Sequence, residues 1–188
     1  MADGLFYVDH RAPFISADIG SVTIGAAYKA LVPVPNLPVL GSNYFSYVGK
    51  AVRIRMFGRW STAATPGTQT FSMFWGSGAD NTGVQILTSQ VITPIASLVN
   101  TSWMWEAVIR CRAMGVSTSG TLIANGKFGY LNSLTLTTAI SEFLMPATAD
   151  AGIGVDTTLA NVISPQAIAT TSTTNTMQVH DFTFEALN

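Results

Sequence analysis

The sequence predicts an all-β protein: an antiparallel, jelly-roll-like β-sandwich preceded by an extended N-terminal arm. Three observations predict it. Thr101–Arg112 alternates Trp103, Trp105, Ala107, Ile109 and Cys111 against Met104, Glu106, Val108, Arg110 and Arg112, and a strand sends successive side chains to opposite faces. Roughly eight to ten runs of strand length, rich in Thr, Val, Ile, Phe and Trp, are separated by Gly, Pro and Asn turn signals. No long stretch carries a 3.6-residue period. A final strand that returns to the body fits a jelly-roll-like winding.

Residues 1–48 differ from the rest of the chain. Pro13, Pro33, Pro35 and Pro38 punctuate short apolar runs at Leu5–Val8, Ser21–Ile24 and Ala30–Val34. Proline has no N–H to give a ladder and sits at sheet edges and bends, so Leu31–Pro38 is neither a helix nor a central strand. Two readings stand side by side. Residues 1–48 form an extended arm with one or two short strands, laid over the body or a neighbour, or they are a first sheet segment and long loop of one domain. The division adopted is an arm at 1–48 and a sandwich body at 49–188.

From Ala51 the signals become regular. Ala51–Thr62 alternates Val52, Ile54 and Met56 against Arg53, Arg55, Phe57 and Arg59. Thr65-Pro-Gly-Thr68 is a turn, because Pro suits its second position and Gly tolerates positive φ. Gln69–Gly76 returns as the partner strand, and 76–83 is a loop by composition. Val84–Ile92 is a further strand, and Pro94–Asn100 has room for one helical turn. The strand at about 101–114 comes next, then a turn at 115–120. Thr121–Leu131 carries Gly126 and Gly129, which point to a bulge or a close backbone approach. Leu134–Thr138 and Glu142–Leu144 are shorter candidates. Pro146–Val162 reads as loop with a short strand near Gly154–Thr157. The last strand, Met177–Leu187, sets Met177, Val179, Asp181, Thr183 and Glu185 against Gln178, His180, Phe182, Phe184 and Ala186.

Composition narrows the function. Charged residues are 10% of the 188 and hydrophobic residues 48%, against a usual charged share of about 25%. Such a surface is either Thr/Ser/Asn/Gly-rich or covered by other subunits, whose interface cores are depleted in charge. A net charge of −1 argues against nucleic acid, which calls for a basic surface. No apolar run reaches the roughly 18–20 residues of a membrane helix, and the N-terminus lacks the pattern of a signal peptide. One cysteine, Cys111, excludes an internal disulfide framework and reads as a small buried apolar residue.

Catalytic patterns are lacking. His10 and His180 have no spacing for a metal pair or triad, and His180 and Asp181, being adjacent, point to opposite faces of a strand. The carboxylates are scattered, and Glu106 with Asp181 or Glu185 would meet only on neighbouring strands, as a glycosidase pair would require. No Gly-rich phosphate loop or nucleophile elbow is present. The expectation is therefore no enzyme, cofactor or metal. Trp60 and Tyr130, beside turns, are the candidates for an exposed stacking platform. Arg53, Arg55, Arg110 and Arg112 share a strand periodicity and are expected on one face, paired with Glu106, Asp181 or Glu185 within the chain or across a subunit interface.

Arg53–Phe71, Ser102–Arg112, Gly120–Leu122 and Met177–Asn188 carry a resemblance. Their "T-P-G-T-x-T-F", "W-x-x-E-x-x-I-R-C-R" and "V-H-D-F-T-F-E-x-L-N" patterns resemble small virion proteins of tailed phages of actinobacteria, over roughly residues 50–188. The resemblance implies an antiparallel β-sandwich that assembles as a small oligomer, named in that group as decoration, minor capsid or tail proteins. It carries no catalytic residue. The function expected is a capsid decoration protein: a homotrimer on the major capsid protein, assembled in the host cytoplasm. Arg53, Arg55, Glu106, Arg110, Arg112, Asp181, Glu185, Pro33, Pro35 and Pro38 are its interface residues. The alternative is a tail or fibre-tip module that binds a host-surface glycan.

Overall fold

The computed structural model describes residues 21–132, 140–146, 152–170 and 174–187. They form two antiparallel sheets. The strands are β1 (Ser21–Ile24), β2 (Lys29–Ala30), β3 (Ala51–Ser61), β4 (Gln69–Gly76), β5 (Val84–Thr88) and β6 (Thr101–Ala113). After them come β7 (Gly120–Leu131), β8 (Ile140–Met145), β9 (Ile153–Val155), β10 (Val162–Ala169) and β11 (Asn175–Ala186). The larger sheet has the order β1-β11-β3-β6-β7-β8, with β9 also on β7; the smaller has the order β2-β10-β4-β5.

The core lies between the sheets and is built by the alternation visible in the sequence. The larger sheet contributes Val52, Ile54, Met56 and Trp60 from β3 and Trp103, Trp105, Ala107, Ile109 and Cys111 from β6. Phe71, Met73 and Trp75 of β4 face them from the smaller sheet. Phe71 crosses the gap and stacks on Phe128 of β7 with ring centroids 4.0 Å apart, edge-on to Trp60 and Trp105. Aromatic pairs in these geometries add about 0.5–1.5 kcal/mol each beyond the area they bury.

Residues 21–48 carry two short strands and a covering loop laid on the body. β1 pairs with β11 and β2 with β10, while Leu31, Val32, Leu37, Leu40 and Phe45 are buried in the core. The described part of that segment is sheet and covering loop of the sandwich. Pro35 lies in a single 3₁₀ turn, Val34–Asn36, where a missing N–H costs no ladder bond. The apolar run Leu5–Val8, together with Asp3, Asp9, His10 and Pro13, lies outside the described residues, as does the candidate strand Leu134–Thr138.

Other elements also depart from expectation. β10 has no counterpart among the strands expected from sequence. Its Pro165 is tolerated because the carbonyl of that residue points toward Leu31, whose N–H donates to it at 2.9 Å. In an antiparallel strand a residue's N and carbonyl share one side, so the proline nitrogen also faces the edge, beyond the two-residue β2. The 84–92 segment is a strand only to Thr88, with an isolated bridge at Ile92, and 94–100 forms turns rather than a helical turn.

β11 breaks its own alternation. The register against β3 shifts between Val179 and Asp181, so His180 is the extra residue of a bulge. Met177, Val179, Phe182 and Phe184 are all buried, while His180 and Asp181 are both half-buried. The expected grouping of Phe182 and Phe184 with Gln178 and His180 is thus overturned. So is the placement of His180 and Asp181 on opposite faces, since a bulge suspends the two-residue period.

Candidate protein interface

The outer face of the larger sheet carries the predicted charges, and the register explains their order. Arg55 lies opposite Glu106, which in turn lies opposite Lys127 of β7. Arg53 lies opposite Glu185 of β11. Glu106 sits between two guanidiniums, 3.7 Å from Arg53 Nε and 3.7 Å from Arg55 Nε. Arg53 also reaches Glu185 at 3.4 Å, and Lys127 reaches Glu142 of β8 at 3.4 Å. Opposite charges thus alternate across five strands and key neighbouring strands together within one chain.

Three predicted members stand outside this ladder. Asp181 accepts a hydrogen bond from the Thr183 hydroxyl at 3.2 Å and has no arginine partner among the described residues. Arg110 and Arg112 lie on the same face but are exposed and unpaired among the described residues. Within the chain, Arg53 and Arg55 make the expected pairs with Glu106 and Glu185, and Arg110 and Arg112 make none among the described residues. The reason is position: Arg110 lies opposite Ala51 and Ile123, and Arg112 falls at a register shift between Cys111 and Ala113.

The aromatic candidates are also relocated. Trp60 is fully buried and Tyr130 is 4% exposed, with their rings 4.9 Å apart edge to face. Burial holds the Tyr130 phenol above its ordinary pKa, and neither ring offers a platform for a sugar. The inward parity of both positions on their strands is the signal for this. Burial likewise raises the Cys111 thiol.

The strands converge at one end of the sandwich on a set of loops. Trp75 Nε1 donates to the Asp156 carbonyl at 3.1 Å. Asp156 Oδ2 accepts from Ser117 N–H at 2.8 Å, and Oδ1 accepts from the Thr158 N–H and hydroxyl at 2.9 and 2.6 Å. These bonds, the Thr158 hydroxyl's first, hold the carboxyl below its ordinary range. A second clasp joins Asp80 to Lys29 Nζ and Ala30 N–H, both at 2.8 Å. Burial raises the Asp80 pKa, but these partners outweigh it and the net shift is downward.

This loop end exposes several large apolar side chains. Val34, Val39, Tyr47, Val48, Met114, Val116 and Leu159 are 42–64% exposed. Their loops meet through backbone bonds: Leu40 with Asn161, Gly49 N–H to the Cys111 carbonyl, and Thr157 N–H to the Gly115 carbonyl. Pro33, Pro35 and Pro38 flank Val34 and Val39 in the same segment. A hollow of about 40 Å³ beside it is lined by Pro38, Leu40, Tyr44, Phe184 and Ala186, room for about one water. Composition alone does not single out Tyr47, Val48, Met114 or Val116, because their exposure depends on where the loops fold.

No His/Cys/Asp/Glu group that could hold a metal ion occurs among the described residues, and no helix of the described residues is long and apolar enough to cross a membrane. No protein-family model, curated protein or solved structure matches the chain.

Proposed function

We propose that the chain is a virion structural protein: a capsid decoration protein that binds the outer shell as a homo-oligomer, a trimer on the major capsid protein. The observation that carries this reading is the apolar loop end, with seven large side chains 42–64% exposed in a chain that is only 10% charged. Contiguous exposed apolar surface marks a site of association. Burying a few hundred Å² of it contributes about 25 cal/mol per Å², reduced by the cost of fixing two bodies together. The ladder supports the same reading from the other side. Because Arg53, Arg55, Glu106 and Glu185 pair with one another, those charges need no partner chain. The resemblance of Arg53–Phe71, Ser102–Arg112 and Met177–Asn188 to small virion proteins supports this reading.

The test is the position of the chain in intact particles. Reconstruction of particles with and without it is expected to differ by density on the outer head faces, and particles without it should release their genome at lower temperature. Density confined to the tail, or no difference in the head, would refute the reading.

A further inference from the structure

Eight basic side chains lie among the described residues, and six of them are engaged. Lys29 pairs with Asp80, Arg53 and Arg55 with Glu106, and Lys127 with Glu142. Arg59 donates to Ser102 Oγ and the Asn100 carbonyl, and Lys50 lies 4.2 Å from the centre of the Tyr44 ring. Arg110 and Arg112 are exposed and make neither ion pair nor hydrogen bond among the described residues. They are two residues apart at the end of β6, both exposed, with Arg112 at the register shift against β7.

Exposed apolar side chains stand near them. Gly49 (φ +99°), whose N–H bonds the Cys111 carbonyl, has no atom within 4 Å of where a side chain would begin. Gly152 (φ +111°) flanks Arg112 on the other side, with the Arg112 Cδ 3.9 Å from the same position. Tyr47 and Val48 lead into this corner and Met114 and Val116 leave it, exposed by 43, 61, 51 and 64%. Two cations without a partner among the described residues, framed by exposed apolar side chains, call for an acidic segment with apolar side chains. Duplex DNA would engage a much broader basic surface.

One such segment is in this chain. Residues 1–20 hold Asp3, Asp9 and Asp18 against a single Arg11, and Leu5-Phe6-Tyr7-Val8 lies between the first two aspartates. It precedes Ser21, the start of an edge strand, and twenty extended residues reach up to roughly 66–72 Å. We propose that the corner formed by Arg110, Arg112, Tyr47, Val48, Met114 and Val116 receives residues 1–20 of a second copy. Asp3 and Asp9 face the two arginines, and Leu5–Val8 covers the apolar frame. This rests on the homo-oligomeric part of the proposed function and not on the position in the particle.

The test is the mass of the full-length chain by light scattering across a dilution series. The wild type is expected to be oligomeric and to dissociate more readily at about 1 M salt, where charges are screened within about 3 Å. Arg110→Glu with Arg112→Glu should raise the concentration needed for assembly at least about tenfold, as should Asp3→Arg with Asp9→Arg. The four changes together should restore it, which also shows that each pair of changes leaves the fold intact. An excess of a synthetic peptide of residues 1–20 should lower the wild-type mass. A chain that is monomeric at every concentration overturns the inference, as does an oligomer indifferent to the arginine reversal or not restored by the fourfold exchange. So does binding of a duplex oligonucleotide or of phosphatidylglycerol vesicles that is lost with the arginines. An oligomer of the expected behaviour that never decorates particles sinks the head assignment alone; a monomer that decorates them sinks this inference alone.

Discussion

Glu106 and Asp156 are both carboxylates held in place, by different means. Glu106 is 29% exposed and shared between two guanidiniums at 3.7 Å, a cross-strand arrangement in which each pair is worth about 0.2–1 kcal/mol. It locks the register of β3 against β6, which explains why scarce charge sits within strands rather than in loops. Asp156 instead accepts hydrogen bonds from Ser117 and Thr158. Its folded pKa lies below its unfolded value, which is about 3.9. The stability it contributes is therefore fully present above that unfolded value and is lost as pH falls through the depressed folded one. Hydrogen exchange at the amides of Ser117 and Thr158 should lose protection as pH falls below about 4, ahead of global unfolding. Protection that persists unchanged to the acid-unfolding transition would show that these loops do not depend on the ionised carboxylate.

At the scale of elements, the β11 bulge shows where a period-two reading stops working. A bulge is one extra residue, and it exchanges the faces of everything beyond it. Phe182 and Phe184 therefore enter the core although their numbers match the outward set. β3 accommodates the bulge with Gly58, opposite Val179. A side chain at 58 would run into the backbone carbonyl of Gln178 and, at 2.9 Å, the Trp103 indole nitrogen. Gly58→Ala should destabilise by about 1–3 kcal/mol or more, as overpacking does. Gly129→Ala makes the control: its nearest neighbours stand at 3.6 Å, ordinary contact, so it should shift stability by less than about 0.5 kcal/mol. Urea unfolding of both variants reads the difference, and equal costs would remove the close approach as the reason for Gly58.

At the scale of the whole molecule, residues 21–48 decide how the chain can be divided. Ile24, Leu31 and Val32 are fully buried and Phe45 is 1% exposed. Each such side chain contributes about 1.5–3 kcal/mol by burial, and a domain holds only about 5–15 kcal/mol in total. Deleting residues 1–45 should therefore leave a chain without a cooperative unfolding transition by circular dichroism. A folded chain with a sharp transition after that deletion would instead support 1–48 as a separable arm. The prolines mislead here because proline reports local backbone geometry and says nothing about what the run beside it covers. Leu31, Val32, Leu37 and Leu40 look like any linker's apolar residues until β10 and the loops beside it are in place.

The sandwich class, most of the strands and the identity of the core are legible in the sequence. They follow from the period-two alternation of Trp103 to Cys111 and Val52 to Met56, a local property of one strand. The same alternation puts Arg53, Arg55 and Glu106 on one face, and the β11 bulge brings Glu185 to it. Which of these charges meet is a tertiary matter, because pairing depends on the register between β3, β6 and β11, strands far apart in sequence. That register leaves Arg110 and Arg112 unpaired among the described residues. It also gathers Tyr47, Val48, Met114 and Val116 from separate loops at one end of the molecule. That surface has no local pattern to read, since it exists only where the chain's distant turns come together.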